Sequence, residues 1–260
     1  MTETYENLQF VTANGNKEML SHAGDVDAVI GWVSRDVVKK GSNIQWIQSP
    51  SAGVEGFISI PELVNSEIAL TNAQIIMGPE IADHAFALLL TLTRNIKQFH
   101  NQMSTASWDR DKGLPLLELR NKTMLIIGLG GIGTQVAERA HAFGMRVLAT
   151  DPVDKPFMNS VDTVGKPDEL HAFLPEADVI VSAVPHTPES EQMLSTDEFN
   201  AMKDGVIFIN VSRGKIVDTD ALVAGLREGK VAAAGLDVTD PEPLPENHPL
   251  WSMDNVIITP

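Results

Sequence analysis

A chain of 260 residues with 43% hydrophobic content is long enough for one large or two ordinary domains, with a full core rather than disorder. A formal net charge of −16 argues against nucleic acid and anionic membrane as partners, and the absence of cysteine excludes disulfides, thiolate metal sites and cysteine nucleophiles. The longest strongly apolar run, Ala85 to Leu90, is too short for a membrane span, and the N-terminus lacks a basic-then-apolar signal pattern, so a cytoplasmic protein is expected.

In chain order, Leu8 to Thr12 reads as a strand remnant. Ala28 to Gly31 and Ile44 to Ile47 read as strands, separated by a short helix over Ser34 to Lys40 with Ser34 as its cap. Gln48 to Gly56 is a loop by its Pro and Gly content, placed at a strand's carboxyl end, where open α/β sheets bind ligands. Ile68 to Thr71 is a further strand. From Pro79 a long helix is predicted to about Met103, with Ile81, Ala85, Leu88, Leu89, Leu92 and Ile96 as its apolar face. Ser104 to Leu119, containing Trp108, Gly113 and Pro115, is irregular.

Thr123 to Asp151 is the most informative stretch. The apolar run Met124 to Ile127 is a buried strand, and Gly128-Leu129-Gly130-Gly131-Ile132-Gly133 breaks it. Val136, Ala137, Ala140 and Phe143 then recur at helical spacing, Gly144 stops the helix, and Arg146 to Thr150 is a second strand ending at Asp151. Strand, glycine turn, helix, strand and acid together supply the context that the dinucleotide fingerprint requires. Gly128 allows the tight turn, Gly130 lets backbone approach a pyrophosphate, and Gly133 permits close helix–strand packing. The amides opening the helix, with Gly131 and Ile132 among them, face the phosphates, and Asp151 stands where an acid accepts ribose hydroxyls. That acid repels a 2′-phosphate, so NAD is expected over NADP.

Beyond Asp151 the alternation continues. Asp178 to Ser182, Val206 to Asn210, Ala232 to Val238 and Asn255 to Thr259 read as strands, with a helix over Asp218 to Gly229. Such alternation implies α/β architecture with a doubly wound parallel sheet. Arg213, just past a strand's carboxyl end, offers a guanidinium that matches a carboxylate bidentately; an interface or capping arginine is the other reading. Glu242 lies past another strand end, where it could hold an imidazole in one tautomer, or stand as a solvated loop residue. Asp237 could accept from a nicotinamide carboxamide or cap a neighbouring turn. The seven histidines show no paired metal-ligand spacing and read as surface or structural residues; Asp83 and His84, adjacent on a helix, point to different faces.

These segments resemble the NAD-dependent D-2-hydroxyacid dehydrogenases over nearly the whole chain. Ser51 to Glu55 is similar to the family's substrate loop, Ile81 to His84 through Arg94 to its interdomain helix, and Gly128 to Gly133 with Asp151 to its nucleotide fingerprint. Asn210 to Gly214 with Val217-Asp218 resembles the segment of its catalytic arginine. Gly235 to Val238 and Glu242 to Pro245 resemble those of its cofactor aspartate and catalytic glutamate, and His248 to Trp251 with Asn255 to Pro260 the approach to its catalytic histidine.

The resemblance implies a Rossmann nucleotide domain at 104–260, an interdomain helix at 79–103 and a smaller, incomplete flavodoxin-like substrate domain at 1–78. It implies hydride transfer between NAD and a small 2-hydroxy or 2-keto acid such as glyoxylate or hydroxypyruvate. The carboxylate would be held by Arg213 and the amides of Ala52 and Gly53. Val184, Pro185, Val211 and Ser212 would line the cofactor, and Glu242 would pair with the histidine. Val54 to Phe57, Met77 and Trp108 would read the substrate side chain. A homodimer is implied, formed through the nucleotide domain and the segment from Phe99 to Leu119. In the family the catalytic histidine follows the Thr-Pro that here is Thr259-Pro260, so the sequence is expected to be a fragment that binds NAD but transfers little hydride. A non-catalytic NAD-binding module, like the family's corepressor relatives, is the second reading.

Overall fold

A computed structural model describes residues 7–110 and 115–260. The chain forms two compact units, Met1–Gln74 and Ile75–Pro260. In the first, the elements are α1 (Asn16–His22), β1 (Ala28–Ile30), α2 (Arg35–Lys40), β2 (Trp46–Gln48), α3 (Glu55–Ile58), α4 (Pro61–Val64) and β3 (Ala69–Thr71). The strands form a parallel sheet in the order β1-β2-β3. Ser34 caps α2 by accepting from the Val37 amide, as its position before the helix predicted. Val37, Ile44, Ile47, Phe57 and Leu63 fill the core. Two expectations change here. Leu8 to Thr12 forms no strand, and Leu8, Phe10 and Val11 are exposed. The end of the loop after β2 is a helical turn, α3, because Phe57 there buries against the core and stacks on Trp32 at 5.1 Å.

The second unit contains α5 (Gly78–Thr93), α6 (Ile96–Ser104), β4 (Thr123–Ile127), α7 (Gly131–Ala142), β5 (Arg146–Thr150), β6 (Thr163–Gly165), α8 (Leu170–Phe173), β7 (Val179–Ser182), α9 (Thr196–Ala201), β8 (Val206–Asn210), α10 (Thr219–Glu228), β9 (Val231–Leu236) and β10 (Val256–Ile258). The long helix expected from Pro79 to Met103 is two helices. Asn95 takes a left-handed conformation at φ 54°, which asparagine tolerates better than most residues, and this ends the first helix. Ile96 therefore leaves the predicted apolar face and is 52% exposed. The helix expected to stand between two domains lies within the second unit, where Ala82, Ala85, Leu88 and Leu89 are buried. Thr105 to Arg110 and Pro115 to Leu119 are irregular as expected, and Gly113 lies outside the described residues.

Among the described residues, the second unit's sheet is seven-stranded, wholly parallel, and ordered β10-β9-β8-β7-β4-β5-β6. The order reverses direction beside β4, the crevice where doubly wound sheets take ligands. Alternate residues of each strand feed opposite cores. Leu125 and Ile127 join Leu174, Phe199 and Leu222 on one face, while Met124 and Ile126 join Leu89, Val136 and Ala140 on the other. Helices thus cover both faces. The missed elements β6, α8 and α9 are each three to six residues long, too short for periodicity to resolve, although Ser195 and Glu198 form a capping box ahead of α9.

Asp178 ties the entry of β7 to that of β4. Its carboxylate accepts from the Thr123 amide at 2.9 Å and from Lys203 Nζ at 2.6 Å, with Lys122 Nζ at 3.9 Å. Burial opposes its ionisation, but Lys203, the Thr123 amide and Lys122 outweigh burial and hold the carboxyl below its ordinary pKa. The stabilisation is therefore present above the ordinary carboxylate range and disappears as pH falls through the lowered native value. Asp178→Ala should cost about 1 kcal/mol at neutral pH, since the partners are partly solvated, and the gap from the parent should close in acid. Urea melts of both proteins across pH check this; a gap that widened in acid would refute it.

Candidate active site

The strands of the second unit end in register. Thr150 pairs with Ile127, Ile127 with Ser182, Ser182 with Asn210, Asn210 with Leu236, and Leu236 with Ile258. The residues immediately after these ends are Asp151, Gly128, Ala183, Val211, Asp237 and Thr259. At an interstrand spacing of ~4.8 Å this row is about 24 Å long. Nearly every sequence-predicted residue of the second unit lies on the row or within a few residues of it.

The glycine turn forms one end. Gly128 adopts φ 94°, a left-handed conformation that an L side chain would strain, and a Cβ there would also press on Val184 Cγ1 at 2.8 Å. At Gly133 a Cβ would run into the carbonyl oxygen of Gly128, so the helix rests directly on the turn. No side chain caps α7, and among the described residues the amides of Gly130, Gly131 and Ile132 donate to no protein acceptor. Three converging donors at the positive end of a 12-residue helix suit an anionic phosphate.

Asp151 is 6% exposed. Its Oδ2 accepts from the Leu129 amide at 2.8 Å and lies 3.2 Å from Lys155 Nζ, while Oδ1 accepts from the Val153 amide at 2.9 Å. The acid therefore braces the glycine turn in addition to any ribose contact, and Lys155 was not anticipated beside it. A carboxylate has more acceptor sites than these donors fill.

At the middle of the row, Asn210 is 1% exposed and organises the segment after β8. Its Oδ1 accepts from the Ser212 amide and hydroxyl at 3.0 and 2.6 Å, and its Nδ2 donates to the Arg213 carbonyl at 3.2 Å. Ser182 Oγ lies 2.9 Å from Ser212 Oγ across the two strands. Val211 and Ser212 are buried, at 3% and 4% exposed, so what they leave accessible at this edge is backbone, whereas Val184 and Pro185 present side-chain surface. Arg213 is partly buried, and its Nη1 donates to the Ser212 carbonyl at 2.6 Å. Glu242 is exposed on the proline-rich loop past β9, and among the described residues its carboxylate has no hydrogen-bond or ionic partner.

Asp237 follows β9, its amide donating to the Asn210 carbonyl at 3.0 Å. Its Oδ1 accepts from Thr259 Oγ1 at 2.7 Å and lies 3.0 Å from His84 Nε2, which is 2.8 Å from Thr259 Oγ1. Asp83, the neighbour of His84, turns instead to Arg139 at 2.7 Å, so the two do point to different faces. Reading the histidines as surface or structural groups missed the place of His84. The pairings span 153 and 175 residues, and no local pattern carries them.

In the first unit, the loop after β2 is pinned by its carbonyls. Asn72 Nδ2 donates to the Ala52 carbonyl and Ser51 Oγ to that of Gly53, both at 2.8 Å. Among the described residues the amides of Ala52 and Gly53 find no protein acceptor, which leaves two oriented donors.

Residues 86–260 match the family model described as D-isomer specific 2-hydroxyacid dehydrogenase, NAD binding domain. The chain belongs to that family. The D-3-phosphoglycerate dehydrogenase of Archaeoglobus fulgidus is 38% identical over 258 residues, covering 97% of this chain and 48% of that protein. The glyoxylate reductase of Pyrococcus furiosus is 33% identical, covering 94% of this chain and 75% of that one. The chain thus spans about half the length of the phosphoglycerate dehydrogenases it matches and three quarters of the glyoxylate reductase. The crystal structure of a D-isomer specific 2-hydroxyacid dehydrogenase family protein from Aeromonas salmonicida superposes with a TM-score of 0.83 at 31% identity, covering 95% of this chain and 79% of that one. The matched residues, 86–260, include the glycine turn, Asp151, Arg213 and Asp237.

The contact of Gly133 with the turn is directly testable. Gly133→Ala should lower stability by about 1–3 kcal/mol as α7 is forced off the turn. It should also weaken NADH binding by at least about tenfold, read by nicotinamide fluorescence. Unchanged stability and affinity would mean that the helix is not held against the turn.

Proposed function

We propose that the protein is an NAD-dependent D-2-hydroxyacid dehydrogenase acting on a small 2-keto or 2-hydroxy acid of the glyoxylate or hydroxypyruvate class. The observation that carries this reading is the placement of Arg213 and Asp237 just past the ends of neighbouring strands, on the same sheet edge as the glycine turn. NAD, when bound, supplies or accepts the hydride at nicotinamide C4. Gly130, Gly131 and Ile132 hold the pyrophosphate through their amides, and Asp151 accepts from the adenosine ribose. Val184 and Pro185 flank the cofactor with apolar surface, while Val211 and Ser212 meet it through backbone. Asp237 accepts from the carboxamide and so orients the ring.

Arg213 binds the substrate carboxylate and polarises the adjacent carbonyl; Ala52 and Gly53 offer amides to the same kind of group. Glu242 is suited to hold an imidazole as proton donor to the ketone oxygen in the reducing direction. The protein is proposed to work in the cytoplasm and as a homodimer. Support for self-association comes from Phe99 and Met103 on α6 and Trp108 and Leu116 between α6 and β4, apolar side chains that are exposed. Among the described residues no helix is long and apolar enough to cross a membrane.

Oxamate, a non-reducible analogue of a 2-keto acid, separates a dehydrogenase from a plain nucleotide-binding module. It should tighten NADH binding to the chain, and Arg213→Met should remove about ten- to a hundredfold of oxamate affinity while leaving NADH binding nearly intact. NADH binding that ignores oxamate in the parent chain would favour the non-catalytic module.

Cofactor choice rests on Asp151. NADH should bind more tightly than NADPH, and Asp151→Ala should shrink that preference by about tenfold. A preference that survived the substitution would remove Asp151 as its source.

A further inference from the structure

His84 lies on α5, yet its ring meets the ends of β9 and β10, where Asp237 Oδ1, Thr259 Oγ1 and His84 Nε2 form a triangle with sides of 2.7, 2.8 and 3.0 Å. All three residues belong to the second unit. Both strand ends are fixed by backbone: the Asp237 amide donates to the Asn210 carbonyl at 3.0 Å, and the Thr259 amide to the Leu236 carbonyl at 2.9 Å. A carboxylate oxygen only accepts, so the Thr259 hydroxyl donates to Asp237 Oδ1 and its oxygen takes a hydrogen bond from His84 Nε2–H. His84 thus reaches Asp237 through the Thr259 hydroxyl, with Nε2 itself 3.0 Å from Oδ1. Among the described residues the other oxygen, Oδ2, has no partner.

A carboxylate on a single-stranded loop end would otherwise rotate about χ1 and χ2, and ordering it on binding would cost affinity. The Thr259 hydrogen bond to Oδ1, fixed in direction by the one that His84 makes to Thr259 and flanked by the imidazole itself, opposes that rotation before any ligand arrives. The side chains of His84 and Asp237 stay 36% and 31% exposed, so the held carboxylate still reaches solvent at the sheet edge.

We infer that His84 is a positioning residue for the nicotinamide end of the cofactor: with Thr259 it holds Asp237 Oδ1 so that Oδ2 faces the carboxamide. The inference rests on the reading of Asp237 as the carboxamide acceptor. The geometry gives His84 no contact with the reacting atoms; it acts through Asp237.

ADP-ribose, which lacks the nicotinamide, is the discriminating probe beside NADH. His84→Ala should weaken NADH binding by about tenfold, leave ADP-ribose binding unchanged, and alter the emission of bound NADH. His84→Gln, whose amide donates from a similar reach, should restore most of the loss. Thr259→Val, which removes the hydroxyl between His84 and Asp237, should show a selective loss at least as large in the same direction. Equal losses for NADH and ADP-ribose in His84→Ala, or failure of His84→Gln to rescue, would overturn the positioning role. Asp237→Ala separates the two ideas. A selective loss there without one in His84→Ala refutes the role of His84 alone, whereas no selective loss in Asp237→Ala refutes the carboxamide reading and the inference with it.

Discussion

The common register of the strand ends is the constraint on which the candidate site depends. The ends of β5, β4, β7, β8, β9 and β10 pair residue for residue, and the register shift of β8 on β9 lies at the far end, at Val206 and Ile207. Every chain segment leaving that edge starts from the same line. The glycine turn, the Asn210–Arg213 segment and the Asp237 loop converge because their strands stop together. The strands are held there by cores on both faces, since each contributes alternate residues to each side. A one-residue slip of β8 would send Phe208 to the wrong core and carry Arg213 off the line.

Polar contacts along this edge turn a row of backbone ends into oriented groups. Asn210 uses its side-chain oxygen, its side-chain nitrogen and its main-chain carbonyl to fix Ser212, Arg213 and Asp237. Asp151 does the same for the glycine turn through Leu129. Both residues are almost fully buried, where a hydrogen bond left unmade is costly, so each contact is strongly enforced. The groups facing outward, namely the amides of Gly130 to Ile132 and Asp237 Oδ2, stay unpaired among the described residues. Order beneath and open valence above is the preorganisation that ligand binding rewards.

Much of this was legible in the residues. Gly128, Gly130 and Gly133 between two apolar runs marked a strand–turn–helix because each glycine answers a local steric demand. Asp218 and Gly229 bracketed α10, as a side-chain cap and a left-handed stop do within one turn of the chain. The break at Asn95 was not legible. The apolar period continues through Arg94, and only tertiary packing that buries Asn95 to 4% exposed decides that one helix ends there. Leu8 to Thr12 failed for the opposite reason: a strand-like composition forms no strand without a partner edge, and among the described residues it has none.

By itself the sequence determined what depends on neighbours in the chain: the alternation of strands and helices, the glycine turn and its acid, and the segments whose resemblance pointed to the family. The tertiary structure alone decided what depends on residues brought together from afar. Asp151 accepts from the Leu129 amide 22 residues before it, Ser182 meets Ser212 across 30 residues, and His84 meets Asp237 and Thr259 across 153 and 175 residues. Periodicity and capping act over a few residues and leave a local trace. A hydrogen bond between the side of one helix and the ends of two distant strands leaves none, because the sheet, and not the spacing of the residues, sets that distance.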